Sequence, residues 1–324
     1  MKKIVFVLVI FLLFSPFYFG FRILFQSPDF SFLKTASQQS ALSASAQKPF
    51  NLALYARIRR ERKQKEEFKN LKISAKSAVS IRLNKYGKEK VLFSKNPYKS
   101  LPIASLTKLM TALVVFKFPE VYNPERVIKI SKDALNQTGS SKWGDLKEND
   151  MIPVKELLKM MLIESNNDAA FALTQPIGEE GFVDLMNIIS ADIGLKNTHF
   201  YNSTGLEPDD NSDKINRSTA LDLAKLTKYI FINYPQIFEI TLLQKAPIYR
   251  ANGSLLYVIE ENTNKLLGKY PEIIGGKTGW SPSASGCLLI IMKGKNKGEY
   301  FINIVLGSRD RFGDMEKIIN IIKN

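Results

Sequence analysis

From Ser74 onward, the hydrophobic and polar positions follow the periods of regular secondary structure. Apolar and polar residues alternate in "SAVSIRLNKYGKEKVLF" around Asn84–Gly87, which predicts a β-hairpin. Helical spacing predicts helices over 104–117, 153–164, 167–175, 179–193 and 218–231. The segments "EIIGGKTGW", "GCLLIIMK" and "EYFINIVLG" predict strands, and a last amphipathic helix is expected from Arg311 to Lys323. Strands at both ends of a helical block indicate an α+β unit whose terminal segments share one sheet.

The N-terminus has the pattern of a membrane segment. Lys2 and Lys3 precede an apolar run from Ile4 to Phe21, about 18 residues, which is long enough to span a bilayer. A small-x-small pattern occurs at residues 44–46, but this is farther from the apolar run than signal-peptide cleavage sites normally lie. We therefore expect residues 1–25 to form an uncleaved transmembrane helix, with a cleaved signal and secretion as the alternative. The two lysines place the remainder of the chain on the extracytoplasmic side of the cell membrane.

A tether is predicted between this anchor and the globular part. Residues 26–54 are rich in Ser, Ala and Gln, and "YARIRRERKQKEEFKN" follows, with six basic residues between Arg57 and Lys65. Such a run could contact an anionic polymer, but a solvated helical spacer is the favoured interpretation. The predicted divisions are thus the anchor (1–25), the tether with its basic helix (26–70) and a globular domain (71–324).

Charge and rare residues narrow the chemistry. The 324-residue chain carries a formal net charge of +15, which suits polyanionic surroundings such as nucleic acid, lipid headgroups or wall polymers. Because Cys287 is the only cysteine and His199 the only histidine, intrachain disulfides and Cys- or His-rich metal sites are excluded. No metal or cofactor is predicted. A Ser-His-Asp triad could use only His199, so a nucleophile would otherwise need a different base.

Ser105 and Lys108, in "IASLTKLMTALVVF", offer such a base. Residues three apart share a helix face, so Lys108 can reach the Ser105 hydroxyl. Burial among apolar neighbours would lower the pKa of Lys108, and a neutral amine can accept the proton of Ser105. An ordinary helix N-cap followed by a surface lysine would have the same sequence.

Two further segments carry polar residues suited to the same chemistry. In "LIESNNDAAFAL", Ser165 could pass a proton to a leaving group and Asn167 could bind an amide carbonyl, although a polar turn between helices would look alike. In "IIGGKTGWS", Lys277 could bind a carboxylate and further lower the pKa of Lys108, or could simply be exposed at a strand end. Gly279 would allow an extended peptide to approach the backbone.

The ordered set S-x-x-K, S-x-N and K-T-G is far more specific than its parts. With the segments "IGLKNTHFYNSTGL", "STALDLAKL", "ENTNKLL" and "IVLGSRDRF", it resembles the low-molecular-mass penicillin-binding proteins of the serine-type D-Ala-D-Ala carboxypeptidase family (peptidase family S11), over roughly residues 75–324. The resemblance implies a β-lactamase/transpeptidase-like fold, in which an antiparallel sheet carries a helical subdomain. It also implies a peptidase that removes the terminal D-Ala from peptidoglycan stem pentapeptides, with β-lactam antibiotics as covalent inhibitors.

The resemblance also implies a role for each site residue. Ser105 would be acylated and Lys108 would be its base, while Ser165 and Asn167 would relay protons and bind substrate. The backbone N–H groups of Ser105 and Trp280 would form the oxyanion hole. The remaining substrate-binding residues would be Lys277, Thr278, Gly279 and, as a helper, Arg311. Ser281 stands where the family usually has threonine, which keeps the hydroxyl.

Three alternatives stay open on the sequence. A DD-endopeptidase acting on cross-linked peptidoglycan would use the same site. A class A-like β-lactamase would need a Glu for deacylation, and "EPDDN" at Glu207–Asn211 superficially resembles that element, although Asp210 replaces the usual leucine. An inactive wall-binding scaffold is the third. Nucleic acid is not an expected partner, because the predicted topology exports the domain.

Overall fold

The computed structural model describes residues 52, 54–137, 146–208 and 213–324. The predicted transmembrane helix and most of the segment from 26 to 53 lie outside the described residues. Within the described ranges, no helix combines the length and the apolar character needed to cross a bilayer.

The chain divides into two units, Met1–Arg62 and Lys63–Asn324. In the first unit, residues 54–62 are helical and largely exposed, and Arg57 pairs with Glu61 at 3.4 Å. In the second unit, residues 63–69 are helical and the Phe68 side chain is buried, with its ring stacked on that of Phe93 at a centroid distance of 5.6 Å. The compact unit therefore starts upstream of the predicted boundary at residue 71.

One five-stranded antiparallel sheet organises this second unit. Its strands, in spatial order, are β2 (Glu89–Lys95), β1 (Ser77–Leu83), β11 (Tyr300–Ser308), β10 (Ser285–Lys293) and β9 (Ile273–Ser281). Strand β1 pairs with β11 over its whole length, from Ser77 opposite Leu306 to Leu83 opposite Tyr300. The two ends of the domain therefore share a sheet, and the hairpin of β1 and β2 turns at Asn84–Lys88, as the alternation predicted.

Both faces of the sheet are buried at its inner strands β1, β11 and β10, which explains the continuous apolar run in β10. Because successive strand residues point to opposite faces, Leu288, Ile290 and Met292 enter one hydrophobic core, whereas Cys287, Leu289 and Ile291 enter the other. The first core includes Phe68 and the apolar side chains of a C-terminal helix. The second and larger core lies between the sheet and the helical layer.

Eight helices in the described ranges are labelled in chain order. They are α1 (Lys108–Lys117), α2 (Lys132–Leu135), α3 (Val154–Ile163), α4 (Asn167–Ala172), α5 (Glu179–Ile193), α6 (Ala220–Asn233), α7 (Gln236–Thr241) and α8 (Arg311–Lys323). Six of the eight lie where the sequence predicted them, whereas α2 and α7 were not predicted. Helix α1 is a core helix, buried at each position from Lys108 to Val115. Helix α6 begins two residues later than predicted because the Thr219 hydroxyl caps it, accepting a hydrogen bond from the Asp222 N–H.

Six short strands complete the described secondary structure in three two-stranded sheets. They are β3 (Leu101–Pro102) with β6 (Arg217–Ser218), β4 (Val127–Lys129) with β5 (Met151–Pro153), and β7 (Ala246–Tyr249) with β8 (Leu255–Ile259). The pairing of β3 with β6 fixes the chain just before the 3₁₀ turn Ala104–Thr107, which leads into α1.

Candidate active site

Ser105 lies in the 3₁₀ turn before α1, and the N-cap position of α1 is held by Thr107, whose side chain makes no capping hydrogen bond. The interpretation of Ser105 as an ordinary helix cap is therefore wrong. Its neighbour Ala104 has a φ of 46°, in the left-handed region that costs a residue with a side chain about 1–2 kcal/mol. A Cβ added at Gly205 would lie only 2.1 Å from the Ala104 carbonyl oxygen, so the backbone at Gly205 supports the strained turn by close contact.

Lys108 is fully buried, with an exposed fraction of 0%. Its Nζ lies 3.0 Å from Ser105 Oγ, 2.6 Å from Asn167 Oδ1 and 2.5 Å from the Thr204 carbonyl oxygen. Burial and, second, the charge of Lys277 hold the pKa of Lys108 well below its ordinary value. The contact predicted from the three-residue spacing is thus present, and the alternative of a surface lysine is wrong.

The turn between α3 and α4 carries the second serine. Ser165 has a φ of 67°, again in the left-handed region, and its Oγ accepts a hydrogen bond from Lys277 Nζ at 2.8 Å. Asn166 caps α4 by accepting a hydrogen bond from the Ala169 N–H at 2.8 Å. Asn167, the first residue of α4, reaches Lys108. The polar turn is therefore both a helix cap and the link between the two lysines.

Strand β9 brings the third motif alongside. Lys277 is buried, and burial followed by the charge of Arg311 lowers its pKa to about 7. The Thr278 hydroxyl donates to Thr263 Oγ1 at 2.8 Å. A Cβ added at Gly279 would lie 3.0 Å from the Ile103 carbonyl oxygen and 3.2 Å from Ser105 N, so only glycine lets β9 approach the Ser105 turn this closely.

Trp280 and Arg311 complete the predicted set. Trp280 follows Gly279 on β9 and is 64% exposed. Arg311 is the first residue of α8, whose N-cap Asp310 accepts a hydrogen bond from the Gly313 N–H. One Arg311 guanidinium nitrogen donates to the Gly279 carbonyl at 3.3 Å, while its buried Nε has no hydrogen-bond partner among the described residues. The guanidinium therefore lies against the end of β9.

Two contacts at this site were not predicted from the sequence. The Thr204 carbonyl oxygen is an acceptor for Lys108, but a backbone atom leaves no residue-type signal. The Thr263 hydroxyl accepts a hydrogen bond from the Thr278 hydroxyl and donates one to the Ile163 carbonyl at 3.3 Å, which connects the end of α3 to β9. Thr204 lies in "NSTGL" and Thr263 in "ENTNKLL", two of the segments on which the family resemblance rests. No other feature of the sequence indicated that these residues belong to the site.

Two other candidates are placed elsewhere. His199 is exposed and stacks edge-on against Tyr201 at 4.5 Å, while Ser105 bonds to Lys108, so the arrangement is not a Ser-His-Asp triad. The Glu207 carboxylate accepts hydrogen bonds from the N–H and hydroxyl of Ser283. Burial raises the pKa of Glu207, but hydrogen bonds from residues 281–284 outweigh it and leave the pKa below its ordinary value. Asp210 and Asn211 lie outside the described residues.

The site thus combines a serine beside a buried lysine, a second serine bonded to a second lysine, and an antiparallel strand that runs next to both serines. This arrangement defines an active-site-serine protein of the penicillin-binding type. The family model described as D-alanyl-D-alanine carboxypeptidase (Peptidase_S11) matches residues 62–310, and the chain belongs to this family. This confirms the resemblance seen in the sequence motifs.

Individual relatives agree with this assignment. The chain is 33% identical over 229 residues to the D-alanyl-D-alanine carboxypeptidase DacF of Bacillus subtilis, covering 68% of this chain and 55% of the relative. It is 35% identical over 202 residues to a D-alanyl-D-alanine endopeptidase of Haemophilus influenzae, covering 60% of this chain and 64% of that relative. The chain thus spans between half and two thirds of the length of these relatives.

A solved structure supports the fold. Penicillin-binding protein D2 of Listeria monocytogenes, in its ampicillin-bound form, is 28% identical, with a TM-score of 0.67 over 78% of this chain and 99% of that one. The predicted antiparallel sheet with a helical layer is confirmed for the globular part.

Replacement of Gly205 by alanine tests how the Ser105 turn is held. We expect Gly205→Ala to lower the free energy of unfolding by about 3 kcal/mol or more, because it adds an overlap with Ala104 to the cost of a positive φ. The matched control is Gly194→Ala. Gly194 has a φ of +78°, close to the +82° of Gly205, but an added Cβ there would meet open space, so this variant should lower the free energy of unfolding by only about 1 kcal/mol. Urea unfolding measures both, and equal losses would contradict the proposed support.

Proposed function

We propose that this chain is a serine-type D-Ala-D-Ala carboxypeptidase that removes the terminal D-Ala from peptidoglycan stem pentapeptides through an acyl-enzyme on Ser105. The observation that carries the proposal is the contact of 3.0 Å between the buried amine of Lys108 and Ser105 Oγ. Residues 71–324 would supply the catalytic domain, with no cofactor.

The hydrogen bonds of Lys108 suit a general base. Its other two contacts, the Asn167 side-chain oxygen and the Thr204 carbonyl, can only accept hydrogen bonds. A neutral amine has two N–H groups for these acceptors, and its lone pair is then directed at the Ser105 hydroxyl. Since burial and Lys277 favour the neutral form, Lys108 would take the Ser105 proton as the oxygen attacks the carbonyl of the penultimate D-Ala.

Collapse of the tetrahedral intermediate needs a proton at the leaving amine. Ser165 is suited to deliver it: its Oγ–H would donate to the leaving nitrogen and would be replaced by the proton that Lys108 took from Ser105, which returns Lys108 to its neutral form. Ser165 is held for this step by its hydrogen bond to Lys277, and its neighbour Asn167 contacts Lys108. The bond from Ser105 Oγ to the carbonyl carbon forms, the bond from that carbon to the terminal D-Ala nitrogen breaks, and D-Ala leaves as a neutral amine. Water then attacks the ester and restores Ser105.

The positively charged end of β9 would bind the substrate carboxylate. Lys277 and Arg311 supply charge, and the Thr278 hydroxyl can rotate to donate, while Gly279 keeps β9 close to the Ser105 turn. The backbone N–H groups of Ser105 and Trp280 would bind the oxyanion, an assignment supported by the close passage of Gly279 along the Ser105 turn. The exposed Trp280 side chain would form the rim of the substrate-binding site. The same groups would accept a β-lactam, which would acylate Ser105.

A DD-endopeptidase is the second candidate. It is supported by the identity of 35% over 202 residues to a relative named an endopeptidase, which stands beside the identity of 33% over 229 residues to one named a carboxypeptidase. The β-lactamase alternative is not favoured, because the Glu207 carboxylate is already bonded to Ser283 at the turn between β9 and β10. No observation favours an inactive wall-binding scaffold.

For the cellular location, we propose a single-pass anchor at residues 1–25 that holds the domain on the extracytoplasmic side of the membrane. The apolar run after Lys2 and Lys3 supports this, as does the location of peptidoglycan. Release from the membrane by cleavage is the alternative. Nucleic acid is not a proposed partner.

Substrate assays on the full-length chain test the activity. A stem pentapeptide should release D-Ala, and Ser105→Ala should reduce kcat by about 10³-fold or more because the nucleophile is absent. Ser203→Ala is the control, since that buried hydroxyl has no hydrogen-bond partner among the described residues. Faster cleavage of a cross-linked peptide dimer would favour the endopeptidase, and D-Ala release that survives in Ser105→Ala would contradict the proposed site.

The pH profile of acylation by a fluorescent penicillin tests the two lysines. Lys108 acts as a neutral base, so the rate should rise with pH through its depressed pKa. Lys277 acts as a cation, so the rate should fall as pH passes above about 7. Arg311→Gln removes a neighbouring charge and should move the falling limb upward. Two results would contradict these roles: an acylation rate of the wild type that keeps rising to about pH 9, or a falling limb of the pH profile that stays in place in Arg311→Gln.

A further inference from the structure

Glu164, directly before Ser165, is a buried acid that the proposed mechanism does not use. Its exposed fraction is 7%. One carboxylate oxygen accepts a short hydrogen bond from the Tyr257 hydroxyl and another from the Asn166 side-chain amide at 3.3 Å. The second oxygen is buried without a hydrogen-bond partner among the described residues. Burial raises the pKa of Glu164 to about 7, and the bonds from Tyr257 and Asn166 only partly offset this. The fold therefore retains an acid here at a cost in stability.

Glu164 is placed where it can hold the backbone turn at Ser165. Ser165 adopts a left-handed conformation that local sterics oppose, so the residues on both sides must hold it. On one side Glu164 is bonded to Tyr257 of β8. On the other side Asn166 both contacts Glu164 and caps α4 through Ala169. Glu164 thus attaches the Ser165 turn to β8, an element that carries none of the proposed catalytic residues.

The same turn holds the groups that would need the finest placement. Ser165 contacts Lys277 at 2.8 Å and Asn167 contacts Lys108 at 2.6 Å. A shift of the turn would alter both distances together, whereas the contact between Ser105 and Lys108 lies within the α1 region and would persist. A displacement of about 1 Å in such a site can cost about 100-fold in rate.

We propose that Glu164 is a positioning residue: with Tyr257 it forms a buried brace that fixes Ser165 and Asn167 relative to the two lysines. This rests on the proposed acylation of Ser105. The brace acts through Ser165 and Asn167, and it sets the rate of acylation more than the affinity for the acylating agent.

The test measures acylation of the full-length chain by a fluorescent penicillin, with the rate constant at saturation separated from the binding constant. Glu164→Ala should reduce the rate constant at least about tenfold with little change in binding. Glu164→Gln keeps an acceptor for Tyr257 and should restore the rate to within about threefold of wild type. Tyr257→Phe should lose rate, and Glu164→Ala combined with Tyr257→Phe should lose no more than the larger single effect, since the brace is already broken.

Glu156→Ala is the matched control. Glu156 is a buried carboxylate in α3, the helix that Glu164 directly follows, and it is bonded to Lys159 and to the Tyr249 N–H of the neighbouring strand β7. This variant should lose stability, yet its folded fraction, quantified by circular dichroism, should be acylated within about twofold of the wild-type rate. Equal acylation rates for Glu164→Ala and Glu156→Ala, or additive losses in the double variant, would overturn the brace. Absence of acylation in the wild type would instead reject the proposed function.

Discussion

The site depends on the burial of two lysine side chains next to each other. Lys108 and Lys277 are each almost fully removed from solvent, and burial lowers the pKa of both. The charge of Lys277 further lowers the pKa of Lys108, and the charge of Arg311 further lowers that of Lys277. An ordinary lysine would be charged at neutral pH and could not accept a proton from serine. In the proposed mechanism this arrangement does the work of a catalytic histidine, because the single histidine, His199, lies exposed against Tyr201.

Holding these groups requires strain in two places. Ala104, before Ser105, and Ser165 both have left-handed backbone conformations. Close packing against Gly205 opposes relaxation of the first, and the contacts of Asn166 and Glu164 oppose relaxation of the second. Strained residues of this kind persist only where the surrounding structure over-determines them. The sheet and the helical layer provide that support, since β9 and α1 are both part of the buried core.

Much of this arrangement follows from local sequence patterns. The hairpin of β1 and β2, the strands β9 to β11 and the core helix α1 were predicted, because their apolar periods are long enough to be distinctive. The two-residue strands β3 and β6 were not, since no period can be seen in two residues. The contact of Lys108 with Ser105 was predicted from spacing within one helix. By contrast, the contacts of Lys108 with Thr204 and of Glu164 with Tyr257 join residues 96 and 93 positions apart, and they depend on tertiary folding.

Activation of Ser105 by the buried amine of Lys108 is the step on which the proposed chemistry depends. It can be tested by mass spectrometry of the full-length chain after reaction with a penicillin, with the modified peptide identified in the wild type and in Lys108→Met, which keeps the side-chain volume but removes the amine. We expect one adduct, on Ser105 in the wild type, and a rate of adduct formation at least about 100-fold lower in the variant. An adduct on another residue, or modification of Ser105 at an unchanged rate in Lys108→Met, would contradict this activation.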